Sequence, residues 1–299
     1  MRIDFVTADI FTDRPFSGNP VAVIPDGRGL TTGQMQRLAR EFNLSETVFV
    51  LPAQDPDHHR RLRIFVPTAE IPFAGHPTIG AAMVLAATGG LELAGDRTAI
   101  VLETEAGPVP VTIAAEDGRP VAATLRAPEA PTIRPAPPLA TVAALLSLDP
   151  DQVLRAGAAS CGLPFVLVEL EDRAALAAAR IDPAVDQRNG PDLWARDPYL
   201  FTADAANGFD IQARMFAPAA GIPEDPATGS AAAALGGWLG VNDPLEDGTL
   251  RRTIAQGIEM GRPSRLDVEV DKRAGQVIAV RVTGKAVLIS EGRIERPED

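Results

Sequence analysis

Apolar and polar residues alternate loosely over 2–11 (Arg-Ile-Asp-Phe-Val-Thr-Ala-Asp-Ile-Phe), which predicts a first strand. Ser17-Gly-Asn-Pro20 breaks it, and Val21-Ala-Val-Ile24 predicts a second strand, stopped by Pro25-Asp-Gly27. Met35, Leu38, Ala39 and Phe42 then fall at helical spacing behind Thr31 and Thr32, either of which can cap. A short buried strand is expected over 47–51, a polar turn from Pro52 to Arg60, and another strand over 61–66. Here the pattern changes. A helix predicted over 77–88, with Pro77 at its first position, is apolar on every side, and Ala227 to Gly240 has the same character. A helix with no polar face must be surrounded by protein. The expectation is therefore a curled sheet wrapped on a central helix, rather than a parallel sheet with its helices outside. Strands over 98–104, 108–114 and 120–126 continue the sheet, with Glu116-Asp-Gly-Arg119 as a hairpin turn.

The two apolar helices follow copies of one motif. Arg63-Ile-Phe-Val-Pro-Thr-Ala-Glu-Ile-Pro72 and Arg214-Met-Phe-Ala-Pro-Ala-Ala-Gly-Ile-Pro223 share R-x-F-x-P-x-A-x-I-P at an offset of 151 residues, half of the 299-residue chain. A repeat of that period reads as a duplicated domain. The five prolines of 127–140 predict a linker. Beyond it the order recurs: a helix over roughly 141–156, Gly162-Leu-Pro164 and Phe165–Val168 echoing Gly18–Ile24, a helix over 173–180, a strand at 200–202, the second motif, and a hairpin of 266–270 with 277–282. The fold class expected is α+β: two pseudo-symmetric domains, each a curled, mostly antiparallel, barrel-like sheet around a central apolar helix. The domains are read as 1–128 and 139–285, with the active site in the cleft between them. The last segment, within 286–299, can cross back to pair near residues 2–11 and complete the first domain.

Composition narrows the function. A net charge of −12, spread along the chain, argues against nucleic acid or an anionic membrane as partner, and leaves room for a small anion held at helix N-termini. One cysteine, Cys161, cannot build a disulfide framework, a zinc site or a two-thiol mechanism within one chain, and no metal is expected. His58-His59 lie in a charged turn and point apart. The start, Met1-Arg-Ile-Asp-Phe-Val-Thr, lacks a signal peptide's apolar core, and no apolar run is long enough to span a bilayer. A cytoplasmic location is the expectation.

Three residues carry the candidate chemistry. His76 and Asp225 each precede a proline at the start of a motif helix and are read as its N-cap. Two such helix starts, facing each other, would present Thr78, Gly80, Thr228, Gly229 and Ser230 to a carboxylate and to developing negative charge. Glu46 lies between the polar corner Asn43-Leu-Ser45 and an apolar strand. Its second-half position, near Pro198, is read as carrying no matching acid, an asymmetry that suits a single acid–base able to take and return a proton.

At these residues the chain resembles the phenazine-biosynthesis PhzF-like family, within the diaminopimelate-epimerase-like fold. The matching stretches are Phe16-Ser-Gly-Asn-Pro-Val-Ala-Val23, Asn43-Leu-Ser-Glu-Thr-Val-Phe49, Phe73-Ala-Gly-His-Pro-Thr-Ile-Gly80, Glu224-Asp-Pro-Ala-Thr-Gly-Ser-Ala231 and Gln256-Gly-Ile-Glu-Met-Gly-Arg-Pro-Ser264. The resemblance implies a cofactor-independent isomerase of the trans-2,3-dihydro-3-hydroxyanthranilate type, acting on a small unsaturated carboxylic acid. It implies Glu46 as the proton carrier, His76 and Asp225 as catalytic groups lining the cleft, and Ser45, Gly75, Gly229 and Ser230 as substrate-binding residues. A homodimer is implied by the same resemblance. Related epimerases of this fold use one cysteine per motif, and those positions hold none here. A one-base epimerase or racemase of an amino acid or related acid, and a non-catalytic small-molecule binding protein, are the alternatives.

Overall fold

In the computed structural model, which describes residues 2–189 and 194–298, the alternating start of the chain is β1 (Arg2–Ile10). It pairs antiparallel with β2 (Asn19–Ile24). The turn between them relies on Gly18, where φ is +67° and a Cβ would stand 2.3 Å from the Ile10 carbonyl oxygen. Next comes α1 (Thr32–Phe42), capped by Thr31 in a reciprocal box with Gln34 and closed by Asn43 in the left-handed region. Its face of Met35, Leu38 and Ala39 packs against Ile24, Phe49 and Phe65. β3 (Glu46–Leu51) runs parallel to β2, and β4 (Arg60–Phe65) antiparallel to β3. After the short β5 (Glu70–Ile71) comes α2 (Gly75–Ala87), then β6 (Arg97–Thr104), β7 (Gly107–Glu116) and β8 (Arg119–Arg126).

Every residue of α2 from Gly75 to Ala86 is buried, against β1, β2, β3, β7 and β8. Small residues make that contact possible: a Cβ on Gly80 would lie 2.8 Å from Val21 Cγ1. A sheet thus wraps an apolar helix, which is the α+β architecture the sequence predicts.

The second half repeats the plan with β9 (Thr132–Arg134), α3 (Leu139–Leu145), β10 (Val153–Ser160), β11 (Pro164–Leu170), α4 (Arg173–Ala178), α5 (Pro183–Asn189), β12 (Pro198–Thr202), β13 (Ile211–Ala217), β14 (Ile222–Asp225), α6 (Gly229–Asn242), β15 (Gly248–Gln256), β16 (Ser264–Arg273) and β17 (Gln276–Gly284). The ladders match in kind and order. β11 runs parallel to β12 as β2 does to β3, and β13 parallel to β15 as β4 does to β6. The neighbouring pairs β10–β11, β12–β13 and β15–β16 are antiparallel, like β1–β2, β3–β4 and β6–β7. Here α6 is the central helix, against β10, β11, β15 and β16, and Gly236 lets Val268 approach to 2.6 Å of where a Cβ would sit. Lys272, one of two lysines, donates to the Asp243 carbonyl at 2.6 Å, placing a cation at the negative end of α6. Finally β18 (Ala286–Glu295) pairs antiparallel with β1, from Arg2 opposite Glu295 to Ile10 opposite Ala286. The chain divides into two compact units: unit 1 is 1–128 with 282–299, and unit 2 is 129–281.

Several local expectations need correction. The proline-rich segment 127–140 is not only a connection, because Thr132–Arg134 forms β9 and pairs with β10. The helix expected to 156 stops at Leu145, and Val153 onward joins β10, since ladder bonds to β11 outweigh the helical propensity of an Ala-rich stretch. β15, whose ladder matches that of β6, was not anticipated. Neither His76 nor Asp225 is an N-cap. α2 begins one residue before His76 behind Ala74, which puts Pro77 third in the helix, and α6 begins behind Thr228.

Candidate active site

Unit 1 gathers Asn19, Glu46 and His76. Glu46 opens β3, opposite Val21, and is 8% exposed. His76 lies in the first turn of α2 and is 3% exposed. Its Nδ1 is 3.3 Å from Glu46 Oε2 and 3.3 Å from Asn19 Nδ2. Complete burial pushes the imidazole down to about 3, against a smaller upward pull from the Pro20 backbone. The ring is therefore neutral at ordinary pH, and its contact with Glu46 is a close approach of a carboxyl oxygen to an uncharged imidazole rather than an ion pair. Among the described residues His76 Nε2 is buried without a hydrogen-bond partner. An orphaned polar atom of this kind costs about 1–3 kcal/mol, an expense that packing alone does not explain. Ser45 is half-buried beside Glu46, and Gly75 is the first residue of α2. Thr78 turns its hydroxyl back to the Ala74 carbonyl, 2.8 Å away.

Unit 2 holds Asp225 in a dense network. Asp225 ends β14 and is 6% exposed. Its Oδ2 accepts from Thr228 Oγ1 at 2.5 Å. Gln256, fully buried at the end of β15, donates to the Asp225 carbonyl at 2.8 Å and to Thr228 Oγ1 at 3.0 Å, and its Oε1 accepts from the Thr228 backbone at 3.1 Å. Tyr199 also donates to Gln256 Oε1, at 3.1 Å. Ser264 binds the Pro226 carbonyl at 2.9 Å, and Gly257 carries φ +73° where a Cβ would meet the Pro226 oxygen at 2.6 Å. The Gln256–Ser264 stretch thus grips the corner that sets Asp225. Gly229 and Ser230 begin α6 and are buried. Sequence reasoning gave no role to Asn19, Tyr199, Gln256 or Ser264; Asn19, Gln256 and Ser264 lie in the stretches that carry the family resemblance, and Tyr199 carries no such signal.

The duplicated arginines position each site from behind. Arg63 makes a bidentate pair with Glu70 at 2.5 and 2.7 Å. Arg214 makes one with Glu224 at 2.8 Å and also donates to the Leu176 and Ala179 carbonyls. Each clamp fixes the chain that leads into a central helix.

One expectation about Glu46 is overturned. The offset of 151 residues carries Glu46 to Asp197, so the second copy does hold an acid at that position, immediately before Pro198. Burial pushes its carboxyl up to about 6; Arg196 pulls it down and Asp186 raises it further. Cys161 is buried, its thiol raised to about 12, with Sγ directed at the Ala233 carbonyl. His58 bonds Glu103 at 3.1 Å, and among the described residues no cluster of three or more His, Cys, Asp or Glu could hold a metal. Among those residues no helix is long and apolar enough to cross a membrane.

Comparison with known proteins places this geometry. The chain is 40% identical to trans-2,3-dihydro-3-hydroxyanthranilate isomerase of Pseudomonas aeruginosa over 294 residues, covering 97% of this chain and 98% of that protein. It is also 40% identical to an uncharacterised isomerase of Mesorhizobium japonicum over 303 residues, covering 97% and 98% of the two chains. Its fold matches the crystal structure of a PhzF-family phenazine biosynthesis protein of Bacillus anthracis with a TM-score of 0.88 at 25% identity, over 99% of each chain. The family model described as phenazine biosynthesis-like protein matches residues 8–292, and the chain belongs to that family of isomerases.

Proposed function

We propose that this chain isomerises trans-2,3-dihydro-3-hydroxyanthranilate, or a small unsaturated carboxylic acid close to it, without a cofactor. The observation that carries the reading is the buried pair in unit 1: a carboxyl group, Glu46, against a neutral imidazole whose Nε2 is unpartnered among the described residues. In this reading both half-sites serve one substrate. The Glu46 carboxylate takes a proton from carbon, the released electron pair spreads into the conjugated system, and the Glu46 acid returns the proton further along it. Atoms balance with no outside reactant, as an isomerisation requires. His76 stays neutral and pairs Nε2 with a polar group of the substrate, which repairs its missing hydrogen bond. Asp225, held by Thr228 and Gln256, takes a polar group of the substrate from the other side. The substrate carboxylate lies against the first N–H groups of α2 and α6, at Gly75, Gly229 and Ser230, with the Ser45 hydroxyl nearby. A cytoplasmic homodimer completes the proposal by family analogy.

The test is Glu46→Gln assayed with trans-2,3-dihydro-3-hydroxyanthranilate in D2O. We expect turnover and deuterium incorporation to fall by roughly 10²–10⁴-fold, with the thermal midpoint preserved. Exchange at the wild-type rate refutes Glu46 as the proton carrier.

A further inference from the structure

Unit 2 carries a groove of about 480 Å³ that no candidate site residue lines. Small-molecule sites span roughly 300–1,000 Å³. Sheet register sets its floor. Arg134 of β9 stands opposite Ala158 of β10, and Ala158 opposite Val166 of β11. Residues directly opposite one another share a face, so all three lie on one side of the sheet. That side is turned away from α6. A Cβ on Gly157, the neighbour of Ala158, would stand 2.6 Å from Nε1 of Trp238 in α6, and Arg155 stacks on the same ring. Alternate residues of a strand point oppositely, so Ala158 looks the other way. The groove is therefore separate from the start of α6, where Gly229 and Ser230 lie.

The lining sorts into three parts. Ala158 and Val166 give an apolar floor. Pro137 and Pro138, which lead into α3, form a wall with no backbone N–H to offer. The third part is Arg134 with Trp194: the guanidinium carbon lies 4.5 Å from the centre of the indole ring. Such stacking uses the flat face of the guanidinium and leaves its N–H groups in the plane, open at the edge. Among the described residues none accepts a hydrogen bond from the Arg134 side chain or pairs with its charge. Arg214 is the contrast, since its N–H groups are spent on Glu224 and on three chain carbonyls. Arg134 thus brings a fixed, unspent cation to an apolar groove.

We propose that this groove is a second ligand site, and that it takes a small planar carboxylate with a ring as its body. The edge of Arg134 gives two parallel N–H bonds to the carboxylate, the geometry that a guanidinium fork matches best. The ring lies between the proline wall and the floor of Ala158 and Val166, where burial of its apolar surface adds to the binding. Trp194 holds the fork in place, which lowers the ordering cost of a long, exposed side chain. A cationic head in the same place meets like charge. No bond is made or broken, and the site uses none of the groups given a role in the isomerase reading. Its ligand class overlaps the acid proposed there, so the test must separate the groove from the surroundings of Glu46.

Trp194 and Trp238 are the chain's two tryptophans, so nitrogen-15 labelling of the indoles gives two side-chain NMR signals, assigned with Trp194→Phe. Benzoate is the probe, and benzylamine is its cationic counterpart. The Trp194 signal should move saturably with benzoate and stay still with benzylamine. Arg134→Gln should weaken the benzoate titration by about tenfold or more. Arg134 is exposed, so this variant keeps the fold, and an unchanged Trp238 signal checks that. Glu46→Gln should leave the Trp194 titration as it is in the wild type, whether or not that variant turns over, which keeps this test apart from the isomerase reading. A Trp194 signal that does not saturate, or that moves equally with benzylamine, overturns the proposal. So does wild-type affinity in Arg134→Gln. A Trp194 response lost in Glu46→Gln also overturns it, because the benzoate would then sit with Glu46 and not in the groove.

Discussion

The half-buried carboxyl of Asp197 should cost stability, and the cost follows from its raised pKa. A carboxyl whose folded pKa is raised binds its proton more tightly in the native state than in the unfolded chain. The penalty is therefore absent below the ordinary value of 3.8, grows as pH rises, and is complete above about 6. The gap is a little over two pH units, each worth ~1.4 kcal/mol, so the fully ionised group costs about 3 kcal/mol before solvent screening. Asp197 is half-buried, and screening by water reduces this to about 1–2 kcal/mol. Asp197→Asn removes the charge and keeps the shape. The variant should gain about 1–2 kcal/mol at pH 8, and about half as much at pH 5, where the wild-type group is already mostly protonated in the fold. Urea unfolding of both proteins at pH 5, 6.5 and 8 measures the difference directly. A difference that does not change with pH, or a variant less stable than the wild type at pH 8, refutes the argument. Such a result would mean that packing, not ionisation, governs the site.

Two other perturbations probe the scaffold. Arg214→Ala strands Glu224 and three chain carbonyls, with the arginine side chain only 4% exposed, and should cost about 3–5 kcal/mol. Arg63→Ala, in a more exposed pair, should cost clearly less; equal costs measured by chemical denaturation would show that burial of the clamp is not what matters. Cys161→Ala should leave turnover unchanged, and the native thiol, raised to about 12, should resist a thiol reagent until the chain is unfolded. Loss of activity in Cys161→Ala would reopen thiol chemistry.

What the sequence revealed, and what it hid, follows from the range of each signal. The α+β class was legible because an apolar helix without a polar face admits few surroundings, and two such helices behind one repeated motif point to duplication. Glu46 and His76 could be singled out by chemistry and context, and the fold brings them to 3.3 Å. Caps were misread because a cap is a matter of one backbone angle: Ala74 holds an extended conformation that no composition rule prefers over His76. Gln256 was silent for a different reason. Its amide serves Asp225, Thr228 and Tyr199 across stretches far apart in sequence, and a glutamine at a strand end carries no local pattern. Asp197 is hidden because it stands one residue before Pro198, where the strand pattern begins; only the 151-residue offset of the arginines matches it to Glu46.

The duplication then explains the asymmetry of the chemistry better than the absence of an acid does. One scaffold supplies a carboxyl at the same register in both copies, and divergence acts on what surrounds it. Unit 1 has an amide and an imidazole, Asn19 and His76, in contact with each other at 3.3 Å, and the imidazole lies 3.3 Å from the Glu46 carboxyl. Unit 2 has Leu163 and Ala227 at the matching positions, and burial holds its Asp197 carboxyl above the usual carboxylate range. It also places Asp225 where unit 1 has Ala74, at the same offset of 151 residues. A single proton carrier does not require that its counterpart vanish, only that the counterpart lose the partners that would let it compete. Installing polar groups there should therefore retune the carboxyl. With Leu163→Asn and Ala227→His combined, the ionised Asp197 should be less disfavoured in the fold, and its pH–stability profile in urea unfolding should shift to lower pH than in the wild type. A profile that stays in place would mean that Asp197 is set by burial under its own sheet and not by the partners it lost.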